Sequence, residues 1–280
     1  MINLEEMTEK YRNIGYSERN AAARVCQDVV LKAIAQSNLG RNVTIKGGVV
    51  MRSITENVRR ATEDLDLDFI RYSLQDDSIR EFVSKLNCLD GIKIEIIGNK
   101  IEQLSQQEYN GKRVCIIIKD SDGNFIESKI DLGVHANMKI EQDKYCFDVC
   151  MDDEGVSLLI NSCEQIFAEK LRSLLRFGPL STRYKDIFDF CYLIDHVDVS
   201  RLIECIKVYI VDEPTMREKN MDDIRKRVLL TFSNRRFKTN VERSGDRNWL
   251  QINVEVAFLD ILAILHYNIA TNLYCKIVIF

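Results

Sequence analysis

Three aspartates alternate with apolar residues in Asp64-Leu65-Asp66-Leu67-Asp68-Phe69. Period-two alternation puts the carboxylates on one side of a strand and Leu65, Leu67 and Phe69 on the other. Same-face neighbours lie roughly 6–7 Å apart along a strand, and carboxylates so close repel one another unless a cation lies between them. Oxygen-only ligands suit Mg²⁺, which keeps several waters and completes its shell with substrate phosphates. The same six residues fit a half-exposed edge strand with its acids turned to water. A calcium-binding loop does not fit, because Phe69 and Gln75 stand where that loop needs Gly and Glu. A phosphoaspartate-type hydrolase motif does not fit either.

The residues ahead of the acids favour phosphate chemistry. Asn42 to Lys46 reads as a short strand, Gly47-Gly48 as a turn, and Val49 to Asn57 as a helix bearing Arg52. Backbone amides without a neighbouring Cβ, at a helix N-terminus, let a phosphate come close. A lone Gly-Gly is an ordinary turn; one followed by Asp-x-Asp 16 residues later is more specific. A third acid, Asp131 in Ser128-Lys129-Ile130-Asp131-Leu132, can reach the same place from a neighbouring strand or stay solvated. Further on, Lys170 lies on a helix whose core face is Ile166, Phe167, Leu171 and Leu174. Asp186 and Asp189, three apart, share one helix face. By pattern alone these three read as wet helix surface.

The elements around these residues form two blocks. Residues 17–38 predict a helix capped by Ser17, with Ala22, Val25, Val29, Ala33 and Ile34 as its stripe and Gly40 as its end. Glu63 to Arg71 reads as a strand, Ser78 to Leu86 as a helix and Ile92 to Ile97 as a strand. Val114 to Lys119 and Phe125 to Val134 form a hairpin around Asp122-Gly123. After about residue 156 the expected elements are helical: Ser162 to Arg176, Thr182 to Asp195, Ser200 to Val208 and Met221 to Ser233. The expectation is an α+β chain, with a mixed sheet flanked by helices over 1–155. A helical bundle over 156–280, joined near Asp152-Asp153-Glu154-Gly155, would complete the active-site cleft.

Bulk properties narrow the class. The 280 residues are 46% apolar and 29% charged, as in an ordinary globular protein. The net charge of −4 gives no global pull toward nucleic acid, so any such surface is a local patch. Nine cysteines without a CxxC pair, and three scattered histidines, argue against zinc and for a reduced, cytoplasmic protein. No export signal is expected at the acidic N-terminus. Val254 to Ile269, interrupted by Glu255, Asp260 and His266, reads as a buried helix and not a membrane span.

Four segments together resemble the polymerase-beta-like nucleotidyltransferase superfamily, and within it the AbiEii/MenT-type toxin nucleotidyltransferases of toxin–antitoxin and phage-defence systems. They are Ile45-Lys46-Gly47-Gly48-Val49-Val50-Met51-Arg52, Arg60-Ala61-Thr62-Glu63-Asp64-Leu65-Asp66, the helix around Ala168-Glu169-Lys170-Leu171, and Arg183-Tyr184-Lys185-Asp186-Ile187-Phe188-Asp189. The resemblance covers roughly residues 40–195, and the last two segments single out the AbiEii-like branch. It implies that Gly47 and Gly48 cradle nucleotide phosphates with Arg52 and Thr62 nearby. It implies that Asp64 and Asp66 hold Mg²⁺ or Mn²⁺, with Asp131 as a supplement. Lys170 would contact the triphosphate, and Asp186 would complete the site as an acid or base. One position departs: Val49 stands where Thr or Ser is common, so a hydroxyl contact to phosphate is missing.

The implied activity is transfer of a nucleotide from an NTP to RNA, the 3′ end of tRNA being the expected acceptor, by the toxin of a system with a cognate antitoxin. Two alternatives share the motifs: nucleotidyl or phosphoryl transfer to a protein, and a non-catalytic nucleotide-binding protein. Residues 222–247 carry Arg225, Lys226, Arg227, Arg235, Arg236, Lys238, Arg243 and Arg247 against Asp222, Asp223, Glu242 and Asp246. This suits either phosphate contacts or a charged helix surface. The apolar end, Leu273 to Phe280, reads as a final strand, a packed tail or a truncation.

Overall fold

The computed structural model describes residues 2–104, 111–135, 137 and 139–274. They divide into two compact units, Met1–Asn161 and Ser162–Phe280.

The first unit runs α1 (Leu4–Asn13), α2 (Glu18–Gln36), β1 (Val43–Lys46), α3 (Gly47–Thr55), β2 (Leu65–Phe69), α4 (Asp76–Lys85), β3 (Ile92–Gln103), β4 (Lys112–Asp120), β5 (Phe125–Val134), β6 (Asp143–Val149) and β7 (Asp152–Ile160). Among the described residues the strands form one seven-stranded sheet, in the order β3-β4-β5-β2-β1-β7-β6. It is mixed: β1 runs parallel to β7 and β2 to β5, while the other neighbours are antiparallel. The alternation in β2 sorts as its pattern dictates. Leu65, Leu67 and Phe69 are buried, and the Phe69 ring meets Phe82 of α4 edge-on at 5.0 Å. Helix α2 starts at Ser17, whose hydroxyl accepts from Asn20 N, and packs along β5, β6 and β7.

The second unit is helical: α5 (Cys163–Phe177), α6 (Tyr184–Ile194), α7 (Val199–Ile206), which runs on into a π-turn over Lys207–Val211, α8 (Met221–Phe232), α9 (Arg235–Arg243) and α10 (Val254–Tyr274). Ser162 caps α5 by accepting from Gln165 N at 3.2 Å. Aromatic pairs tie the core, with Phe167 against Phe190 at 4.7 Å and Phe232 stacked on Phe258 at 4.1 Å.

Five expectations change. The strands do not stop near residue 156, because β7 continues to Ile160 and the units divide after Asn161. The acidic run expected to be a junction is the start of β7: Gly155, at φ +70°, brings its Cα close to the Phe147 carbonyl, leaving no room for a Cβ. Gly47 and Gly48 are not a turn ahead of a helix but its first two residues. Helix α2 ends at Gln36, capped by the Ser37 N–H on the Ala33 carbonyl, before Gly40. Over residues 254–265, α10 buries Val254, Ala257, Phe258, Ile261 and Leu265 but leaves Val256 and Leu259 exposed, so this stretch is one-sided and not the fully buried helix expected. No helix among the described residues is long and apolar enough to cross a membrane. Of the expected apolar tail, residues 275–280 lie outside the described residues.

Candidate active site

In the first unit the register builds a charged rung across four strands. Arg113 of β4 pairs with Asp131 of β5, Asp131 with Asp66 of β2, and Asp66 with Lys46 of β1. Residues opposite one another on neighbouring strands share a face, so Asp66 and Asp131 stand side by side. Each acid around them meets a base. Arg113 grips Asp131 with both arms, Nε to Oδ1 and Nη2 to Oδ2, each at 2.7 Å. This bidentate contact is the largest reason that the guanidinium's pKa rises above its ordinary value. Asp64, just ahead of β2 and half exposed, meets Lys129 Nζ at 2.8 Å. Asp68 is buried and meets Lys46 Nζ at 2.6 Å.

The start of α3 closes on these acids. A Cβ on Gly47, which sits at φ +64°, would lie 2.5 Å from Asp66 Oδ2, and a Cβ on Gly48 would overlap the Thr62 hydroxyl. Only glycine allows this approach. The Thr62 carbonyl is in turn fixed by Gln27 Nε2 of α2 at 2.9 Å. Arg52, one turn into α3, is 2% exposed. None of its three guanidinium nitrogens has a hydrogen-bond partner among the described residues.

Among the described residues no group of three or more His, Cys, Asp or Glu side chains closes into a metal cage. The donor chemistry does fit a hard cation. Asp64 and Asp66 offer carboxylate oxygens from one strand face, and Mg²⁺ needs only one or two such ligands besides water and phosphate. Asp131 is a poorer ligand, because both its oxygens are already engaged by Arg113.

In the second unit Lys170 of α5 is not the solvated residue that its helix pattern suggests. It is 8% exposed and lies between two carboxylates of α6, 2.5 Å from Asp186 Oδ1 and 2.8 Å from Asp189 Oδ2. Asp189 is fully buried and accepts a second bond from the Trp249 indole at 2.9 Å. Asp186 stands in the first turn of α6, near the exposed Arg183.

The family described as nucleotidyl transferase AbiEii toxin, type IV TA system, matches residues 29–253. The chain belongs to the AbiEii family. It is therefore a nucleotidyltransferase, the toxin of a type IV toxin–antitoxin system, and the match runs from α2 to just short of α10. No curated protein matches this AbiEii chain. Among solved structures it is similar to an antigenic nucleotidyltransferase-like protein from Paracoccidioides brasiliensis, at 11% identity and a TM-score of 0.36, over 85% of this chain and 92% of that one.

The structure brings Asp64, Asp66, Asp131, Gly47, Gly48 and Thr62 together in the first unit, and Lys170 with Asp186 in the second. Sequence reasoning missed Arg113, Lys129 and Lys46 as counter-charges, since strand neighbours are invisible until register is known. It placed Asp189 on a helix face but gave it no task. Trp249 was overlooked, although it is the chain's single tryptophan.

Proposed function

We propose that this AbiEii nucleotidyltransferase moves a nucleotide from an NTP onto RNA, the 3′ end of tRNA being the favoured acceptor, with Mg²⁺ (or Mn²⁺) bound. The observation that carries the reading is the close approach of the Gly47 backbone to Asp66. It sets the start of a helix, whose first amides have no intrahelical acceptor, beside a strand carboxylate, an arrangement that suits a phosphate together with a cation. Asp64 and Asp66 are the residues that would hold the metal, which supplies charge neutralisation on the triphosphate. Asp131 orients Arg113 and is at most an outer ligand. Arg52 supports the same reading: an ionised guanidinium buried without an acceptor is costly, and an anionic ligand would satisfy it. Lys170 takes charge on the triphosphate and Asp186 receives or orients the acceptor hydroxyl proton.

The test is incubation of the purified chain with total RNA, Mg²⁺ and each NTP labelled at the α- or the γ-phosphate. RNA that gains α-label and no γ-label is the expected product. Asp64→Ala and Asp66→Ala should each lower the rate by at least about a hundredfold, as removal of metal and charge-stabilising groups does. Label on protein, or γ-label on any acceptor, would instead support transfer to a protein or phosphorylation. NTP binding with no labelled acceptor would support a non-catalytic nucleotide-binding role. A cognate antitoxin, implied by the family, is the expected partner in the cell.

A further inference from the structure

Among the described residues Lys170 meets two carboxylates of α6 that differ in one respect. Asp189 has no exposed surface, whereas the Asp186 side chain is 14% exposed and sits at the helix start with the exposed Arg183 3.9 Å away. A buried carboxylate is retained only if hydrogen bonds replace its lost water. For Asp189 two of those bonds come from Lys170 and from the Trp249 indole. Trp249 is itself fixed. It is 3% exposed, tilts against Tyr192 of α6 at 5.9 Å, and lies in a loop that Asn248 staples by donating to the Ile252 carbonyl at 2.7 Å and accepting from its N–H at 3.2 Å.

We propose that Asp189 and Trp249 are positioning residues for Lys170. Asp189 is its permanent counter-ion, oriented by the indole, and Asp186 is the exchangeable one, displaced by a polyphosphate oxygen. This rests on the reading that Lys170 meets the triphosphate. Displacing Asp186 leaves the ammonium tethered through Asp189, so its charge is delivered to the phosphate at a fixed place. It also frees the Asp186 carboxylate for the acceptor.

The consequence is a difference in sign between two substitutions that remove the same charge. In Asp186→Asn, Lys170 loses its competitor for phosphate, and inorganic tripolyphosphate should bind several-fold more tightly by calorimetry. In Asp189→Asn, Lys170 loses its tether while Asp186 stays in place as the competitor of phosphate, so binding should weaken about tenfold, as loss of a charged hydrogen bond does. A purely electrostatic role would tighten both. The single tryptophan gives a second readout in the unaltered protein: Trp249 emission should change with the calorimetric midpoint, and the change should vanish in Lys170→Ala. Two tightened variants, or Lys170-dependent binding with silent Trp249 emission, would overturn the positioning role while leaving the triphosphate reading intact. Tripolyphosphate and NTP binding that Lys170→Ala leaves unchanged would overturn both. Because the emission test uses the wild-type chain, a misfolded Asp189 variant does not shelter the proposal.

Discussion

Arg52 sets a cost in stability against the role proposed for it. Its guanidinium is buried without a hydrogen-bond partner among the described residues, and a buried charge that nothing offsets destabilises the fold, so an apolar side chain of similar length relieves a cost. Arg52→Met should therefore raise the melting temperature of the chain and weaken NTP binding at the same time. A variant that melts lower and binds NTP normally would remove Arg52 from the site. Gly47 behaves differently, since its φ of +64° and its distance to Asp66 leave no room for a Cβ. Gly47→Ala should cost about 1 kcal/mol or more and lower nucleotide transfer to the level of Asp66→Ala, checked by chemical denaturation and by α-label incorporation. At this scale the sequence named residue types well and surroundings poorly. The period of β2 showed that Asp64, Asp66 and Asp68 share a face. It could not show that Asp68 belongs to Lys46 or Asp131 to Arg113, because those partners lie on strands whose order is set by the whole sheet.

Among the elements, α1 and the β6–β7 hairpin were not legible, for different reasons. Helix α1 buries just Leu4, Met7 and Tyr11 in a mostly polar segment, too little apolar signal to rise above its surroundings. The hairpin does alternate, with Phe147, Val149, Val156, Leu158 and Ile160 all buried. Four consecutive residues, Asp152 to Gly155, look like a linker and conceal it. The β4–β5 hairpin was legible from Asp122-Gly123, yet its tip also anchors α1. Asp120 accepts from Leu4 N at 2.9 Å while holding Asn124 and Asp122 N–H groups. Burial would raise this carboxyl, but the Leu4 amide, the Asn124 side chain and the turn amides outweigh it and hold the pKa below the ordinary 3.8. A depressed carboxyl contributes stability that is present above the unfolded value and lost as pH falls through the folded one. Stability should thus drop below pH 3.8, and Asp120→Asn should flatten that part of the curve in urea titrations run at stepped pH. An unchanged acid limb would mean that the α1 anchor does not rest on the ionised carboxylate.

Over the whole chain, a net charge of −4 conceals a basic segment in residues 222–247, and the structure sorts its members. Arg225 pairs with Asp222, Arg227 donates to the Leu175 carbonyl and Lys238 meets Glu255, so these three serve the fold. Arg235 and Arg236 are exposed and open α9, whose first turn contains no acid. Cations at a helix N-terminus work against its dipole, typically by about 0.3–1 kcal/mol. Two arginines placed there are better explained by a polyanion they bind than by the helix they start. Replacing both with Glu should stabilise the chain, by about 1 kcal/mol or more, since two opposing charges become two favourable ones. It should also raise the KM for an RNA acceptor and leave the KM for NTP unchanged. The slope of log KM against log salt should fall by roughly 1–2 for two lost phosphate contacts. An acceptor KM and salt slope equal to wild type would show that this face does not meet the acceptor and would remove its support from the RNA reading.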